Sequence, residues 1–101
     1  MARYTAITSA TATTLITKGS GISGAINKMT ICNNSDNPAT DISLHLWAGG
    51  GGDPTYKIIH NITIPSGATL VLEDNLSFDS KIYNLRITNA GTDPDITVII
   101  K

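Results

Sequence analysis

The residues that could take part in chemistry are few and are spread along the chain. His45 and His60 lie on different predicted strands, whereas a zinc site needs three or four ligands that converge in space. Glu73, Asp74 and Asp79 cluster around one predicted corner, where paired carboxylates could serve glycoside hydrolysis or bind calcium. No calcium-loop spacing is present, so turn roles suit these carboxylates better, and a place in the core suits His60. We therefore expect no enzyme activity, no metal site and no cofactor.

Two glycine-rich segments resemble nucleotide-binding motifs but lack the residues or the helix that those motifs require. The segment 19–24 fits Gly-x-Gly-x-x-Gly, but a dinucleotide site needs a helix that opens at those glycines. The residues that follow, 25–33, are rich in β-branched side chains and have no helical period. The run 49–52 lacks the Lys-Ser/Thr pair of a phosphate loop and also precedes a strand. Both segments are predicted to be loops.

One aromatic pair leaves a binding function open. Trp47 and Tyr56 flank the second glycine-rich loop and could form a platform on which a sugar ring stacks. Trp47 could equally fill a contact between subunits. The sequence is therefore compatible with a carbohydrate-binding module and also with a surface that contacts another subunit.

The charge pattern argues against nucleic acid as a partner. The net charge is −1, and the seven Lys and Arg residues are scattered rather than clustered. Charged residues make up 15% of the chain, against about 25% in typical soluble domains. Such a weakly charged surface suits repeated packing against other subunits, and it is equally typical of a β-rich domain whose strands are rich in threonine. No apolar run is long enough for a signal peptide or a membrane span, so we expect synthesis in the cytoplasm and no membrane partner.

The alternation of apolar residues predicts strands along most of the chain. In Tyr56–Ile64 the even positions are mostly apolar and are expected to face the core, His60 included. A turn at 65–68 and inward positions at Leu70 and Leu72 follow. The same period of two continues inward through three further sets of positions: Ile42, Leu44 and Leu46; Tyr83, Leu85 and Ile87; and Ile96, Val98 and Ile100.

Seven or eight short strands of this kind, with turn sequences between them, predict an all-β, antiparallel β-sandwich. Asp79-x-Lys81-x-Tyr83-x-Leu85 is similar to the tyrosine corner of immunoglobulin-like sandwiches, which favours that topology, with a jelly roll as the alternative. Residues 1–24 are expected to form an arm or two edge strands, near 3–8 and 13–18. Residues 25–101 are expected to form the sandwich, within a single domain overall, and a continuous strand is predicted over 26–33.

The run Ile64–Phe78, with the sequence IPSGATLVLEDNLSF, resembles one in small virion structural proteins of tailed bacteriophages, particularly phages of marine and freshwater bacteria. Asn33-Asn34-Ser35 before an alternating strand and the ending Pro94–Ile100 add to the resemblance, which covers about two thirds of the chain. The resemblance implies a virion subunit, above all a capsid decoration (cement) protein, with a tail, neck or fibre component as the alternative. Its motifs are folding motifs, so it implies no catalytic residues.

This resemblance also implies a location and partners. The protein would reside in the virion and contact copies of itself, with a trimer as one option, together with the major capsid protein or other virion proteins. The side chains that we expect to make subunit or capsid contacts are Arg3, Tyr4, Ile7, Trp47 and Tyr56.

Overall fold

The computed structural model describes residues 3–22, 24–49, 55–73 and 76–101. The regular elements in these ranges are β-strands. Their bounds are β1 Arg3–Ile7, β2 Thr13–Ile16, β3 Ala25–Ile26, β4 Met29–Asn33, β5 Ala39–Trp47, β6 Thr55–Ile64, β7 Thr69–Leu72, β8 Leu76–Ser77, β9 Asn84–Ala90 and β10 Ile96–Ile100. The segment predicted as one strand over 26–33 is thus divided into β3 and β4. No described element is a helix that is long and apolar enough to cross a membrane.

The strands pair in a nested order. β5 pairs with β6, β4 with β7, β3 with β8, β2 with β9 and β1 with β10, each pair antiparallel. The chain therefore forms one long hairpin ribbon whose tip is the connection between β5 and β6. Two further pairings, β4 with β10 and β5 with β9, roll this ribbon into two sheets.

Sheet A has the strand order β1-β10-β4-β7, and sheet B has the order β2-β9-β5-β6. The antiparallel β-sandwich predicted from the sequence is confirmed. The immunoglobulin-like topology is wrong, because that fold places strands A and B in one sheet, whereas β1 and β2 lie in different sheets here. A ribbon rolled into two four-stranded sheets is a jelly roll, the alternative topology.

The core lies between the two sheets and is almost wholly aliphatic. Ile96, Val98 and Ile100 of β10 face it, as the alternation predicts, and so do Leu85 and Ile87 of β9. Leu70 and Leu72 pack against its border. The buried apolar residues are Ile7, Leu15, Ile16, Ile26, Met29, Ile31, Ala39, Ile42, Leu44, Ile64, Leu85, Ile87, Ile96, Val98 and Ile100.

The predicted alternation fails in the middle of β6. Ile58 and His60 are exposed and Ile59 packs against the core, whereas Ile62 and Ile64 face the core as predicted. The reason is that the β5–β6 register shifts between Ala39 and Ile42, between Ile42 and Leu44, and again before His45. Each extra residue in a bulge moves the following side chains to the other face. Asn61, with φ of 49°, lies in one of these irregular stretches.

The amino-terminal strands belong to the sandwich of their own chain. β1 and β2 were predicted near 3–8 and 13–18, and they form one edge of sheet A and one edge of sheet B, respectively. Ile7, Leu15 and Ile16 from this segment are buried.

A buried asparagine joins the loops at one end of the sandwich. Asn33 is 0% exposed, and its amide nitrogen donates to the carbonyl oxygens of Asn37 at 2.9 Å and Ile64 at 3.0 Å. Its side-chain oxygen accepts from the amide of Ser35. The predicted turn after β6 is also present: Ala68 N–H donates to Pro65 O, and Gly67 has φ of 74°, which suits the third position of a type II turn.

Candidate functional site

Three nitrogen-containing side chains form a row across the outer face of sheet B. Arg86 on β9 lies directly opposite His45 on β5, and His45 lies directly opposite Lys57 on β6. Directly opposed side chains in a sheet have their Cβ atoms about 5 Å apart. The row therefore places one cationic side chain on each side of the His45 imidazole.

These residues line an open groove of about 370 Å³, which we call the basic groove. Hydroxyl groups and one indole complete its wall, and the described lining residues include no carboxylate. The lining residues are Ser43, His45, Trp47, Thr55, Lys57, Arg86 and Thr88.

Two contacts hold the cations of the basic groove in place. The guanidinium carbon of Arg86 lies 4.2 Å from the centre of the Trp47 ring, which is cation–π geometry. On the other side of the row, Lys57 Nζ lies 2.9 Å from Nδ1 of His60, within hydrogen-bond distance. Trp47 is itself anchored, because Asn84 donates from its amide nitrogen to the Trp47 carbonyl.

His45 is the buried member of the row, with 7% of its surface exposed. Burial is the main reason that the pKa of His45 falls below its ordinary value of 6.5, and the positive charges of Arg86 and Lys57 lower it further. The imidazole is therefore neutral near pH 7, which leaves a ring nitrogen able to accept a hydrogen bond.

The structure separates the aromatic pair that the sequence suggested as a sugar platform. Trp47 is opposite Thr55 and faces the basic groove, whereas Tyr56 is opposite Leu46 and therefore points to the other side of sheet B. Tyr56 packs edge-on against Tyr83 there, with ring centres 5.8 Å apart. A stacking platform built from Trp47 and Tyr56 together is ruled out by this geometry.

The remaining candidates for chemistry do not converge. His60 is exposed and not a core residue, which corrects the prediction, because the bulged register of β6 turns it outward. Among the described residues, no group of three or more His, Cys, Asp or Glu side chains could hold a metal ion. Asp79 serves a turn, since its carboxylate accepts from Lys81 N–H and its carbonyl accepts from the amides of Ile82 and Tyr83.

Two of the sequence predictions concern residues that the structure does not describe. The glycine run 49–52 is described only at Gly49, and Asp74 of the predicted carboxylate cluster is not described. In the first glycine-rich segment, Gly19 and Gly21 have positive φ, and a two-residue strand follows in place of a helix. The interpretation of this segment as a loop is confirmed for its described residues.

The outer face of sheet A is a second surface, which sequence reasoning missed. Its registers align two rows of side chains across all four strands, and none of the eight is charged. We call this surface the uncharged face. Its first row is Tyr4, Ile99, Thr30 and Val71, and its second row is Ala6, Thr97, Cys32 and Thr69. Alternation alone predicts which residues of each strand point outward, but not that they share one face.

The five predicted contact residues fall on different parts of the molecule. Tyr4 is 73% exposed on the uncharged face, and Arg3 is exposed at the start of the same edge strand. Trp47 lines the basic groove, and Tyr56 lies on the opposite side of sheet B at 51% exposure. Ile7 is 2% exposed and belongs to the core, so its side chain is not part of any outer contact surface.

A scan against protein-family models and a search among curated proteins each found no match. Solved structures that match include the Yersinia pseudotuberculosis-derived mitogen, with 16% identity and a TM-score of 0.44 over 99% of this chain and 81% of that one. A chain of infectious bursal disease virus, Gx strain, matches with 13% identity and a TM-score of 0.48 over 99% and 32%, respectively. A chain of the T13 particle of the same virus matches with 12% identity and a TM-score of 0.36 over 98% and 31%.

Two of these three neighbours are therefore chains of a virus structure, and this chain spans about a third of the length of each. All three likenesses are too distant to carry an argument about function.

Proposed function

We propose that the protein is a non-enzymatic structural subunit of a tailed-phage virion, of the capsid decoration (cement) type, which contacts neighbouring subunits through sheet A. The observation that carries this proposal is the uncharged face. Tyr4 and Val71 stand at its two ends, 73% and 43% exposed. Burying these positions against a neighbour removes apolar surface from water without desolvating a charge, as in the centre of protein interfaces.

The edges of sheet A support the same role. β1 and β7 pair with their neighbours in unbroken register, and β7 contains no charged residue. Natural sheets usually protect their edges with charges, prolines or bulges, so an open edge is suited to pairing with another chain. Charged residues lie just beyond the face: Lys28 precedes β4, Glu73 follows β7 and Lys101 follows β10. They would form the polar rim of such a contact.

The size of the face suits a subunit that is present in many copies. Four strands spaced about 4.8 Å apart make a narrow patch, and two rows of side chains cover less than the roughly 800 Å² per partner of a standard interface. A single contact of this size is weak. Repeated contacts to shell subunits and to other copies would supply avidity. The resemblance of Ile64–Phe78 to small virion structural proteins points to the same kind of assembly.

The test is binding to particles of the encoding phage that lack the protein. The variant Tyr4→Asp/Val71→Asp places two charges on exposed positions of the uncharged face, so the fold is expected to persist, as circular dichroism can check. We expect at least a tenfold loss of co-sedimentation with particles. The matched control Thr55→Asp/Thr88→Asp adds the same charge to the outer face of sheet B and should bind normally. Equal binding by both double variants would exclude sheet A as the contact.

The position within the particle is tested by the oligomeric state in solution. A trimer, measured by analytical ultracentrifugation, supports a decoration protein on the capsid surface. A larger ring supports the alternative within the same class, a tail or neck component, and would overturn the decoration type while leaving the virion role in place.

A further inference from the structure

We propose that the basic groove on the outer face of sheet B binds the anionic group of an acidic sugar. The proposal is independent of the virion role, because it concerns the opposite side of the sandwich from the uncharged face. It begins from the charge arrangement of that face. Arg86 and Lys57 lie on the two strands that flank β5, with His45 between them, so the groove gathers two like charges in one row.

No carboxylate among the described lining residues offsets this repulsion. A bound anion would offset it, because both cations line the same groove. Electrostatic arrangements that work against the fold are typical of binding sites, where a ligand supplies the missing charge. The groove therefore has a built-in preference for negative charge.

The cations are held ready for such a ligand. The Arg86 guanidinium carbon lies 4.2 Å from the centre of the Trp47 ring, and a guanidinium group held in this way can donate to a carboxylate in a two-pronged bond. Lys57 is a compact charge on the opposite side of the row, near His60. Two positioned cations separated by a neutral imidazole suit one small anionic group. They are too few for a nucleic acid strand, whose affinity depends on neutralising many phosphates.

The rest of the lining indicates a sugar. Ser43, Thr55 and Thr88 contribute hydroxyl groups, which both donate and accept hydrogen bonds and so suit the hydroxyls of a sugar ring. Stacking is not the expected recognition mode, since Arg86 already covers a face of Trp47. The structure thus assigns recognition to the anionic group, and neutral sugars are expected to bind weakly.

Trp47 is the only tryptophan of the chain, so its fluorescence reports directly on the groove. The experiment titrates the full-length protein with trigalacturonate, with a sulfated trisaccharide and with neutral maltotriose. At least tenfold tighter binding of one or both acidic sugars than of maltotriose supports the proposal, and the tighter of the two identifies the preferred anion. Equal affinity for all three, or no binding of the acidic sugars, overturns it.

Variants locate the site. Lys57→Gln changes an exposed side chain and should fold normally, and we expect it to weaken acidic-sugar binding about tenfold. Arg86→Gln should weaken binding at least as much. Lys81→Gln removes an exposed lysine from the turn before β9 and is the matched control, with unchanged affinity expected. Unaltered affinity in both groove variants would place the binding elsewhere and contradict the proposal.

Discussion

Sheet A and sheet B bury similar aliphatic side chains on their inner faces but differ on their outer faces. Sheet A has unbroken registers and eight outward positions without charge. Sheet B has bulges in the pairing of β5 with β6, of β5 with β9 and of β2 with β9, and it carries the row of Arg86, His45 and Lys57. Burial dictates the inner faces of both sheets. The outer faces are free of that requirement, and on our two proposals their difference corresponds to different contacts.

Each sheet contains an asparagine with specific hydrogen bonds, and the two differ in burial and in partner: the Asn33 side chain bonds to backbone groups, and the Asn61 side chain bonds to the Ser43 hydroxyl. Asn33 ends β4 in sheet A and is fully buried, whereas Asn61 lies in β6 of sheet B and is exposed. A comparison of the two separates the stability supplied by a buried loop anchor from the stability supplied by a bulge.

The largest effect is expected for Asn33→Ala. This change leaves the carbonyls of Asn37 and Ile64 and the amide of Ser35 without their partner in a buried site. We expect a loss of about 3 kcal/mol in the free energy of unfolding, measured by urea denaturation. Asn34→Ala, at the exposed neighbouring position, is the control and should cost less than about 0.5 kcal/mol. Similar losses at both positions would mean that Asn33 is not the anchor.

A smaller effect is expected at the bulge. Asn61 has φ of 49°, and its side-chain oxygen accepts from the Ser43 hydroxyl at 3.1 Å. Asn61→Ala loses this bond and places an alanine in the left-handed region, so it should cost about 1–2 kcal/mol. Asn61→Gly also loses the bond but relieves the backbone strain, so it should cost less than the alanine variant. If the glycine variant had a lower melting temperature than the alanine variant, backbone strain at the positive φ would not explain the loss of stability.

The smallest effect concerns pH. The folded protein lowers the pKa of His45 through burial and through Arg86 on β9 and Lys57 on β6, so the unfolded chain takes up the proton first as the pH falls. The contribution of His45 to stability is therefore complete above pH 6.5 and decreases as the pH drops from there towards the lowered pKa. His45→Gln should show a shallower loss of stability over this window than the wild type. A slope in the His45→Gln variant equal to that of the wild type, measured by urea denaturation at several pH values, would contradict this account.

The inward faces of the regular strands were predictable from the sequence, and the bulged ones were not. Ile96, Val98 and Ile100 alternate without interruption because β10 pairs in register on both sides. In β6 the same reasoning misplaced Ile58 and His60. Asn and Asp tolerate positive φ in loops as well as in bulges, so Asn61 gave no specific sign of the shift.

The nested topology and the two outer faces depend on contacts between residues that are distant in the chain. Nothing local in Arg3–Ile7 indicates that it pairs with Ile96–Ile100. Likewise, Arg86 looked like an isolated outward position of a predicted strand, and only the registers of β5 with β6 and β9 bring it beside His45 and Lys57. The sequence shows no clustered basic segment, and a row of two cations across three strands leaves no linear pattern.

Cys32 allows the central claim to be measured directly. It is the only cysteine of the chain, and it lies in the second row of the uncharged face, partly exposed. Its rate of labelling with a maleimide can be compared between the free protein and protein bound to particles. The control carries Cys32→Ser with Thr88→Cys, which moves the thiol to the outer face of sheet B. We expect labelling of Cys32 to slow at least tenfold on particles while the control thiol reacts equally in both states. Undiminished labelling of Cys32 on particles, with protection of the control thiol, would contradict the assignment of sheet A as the contact surface.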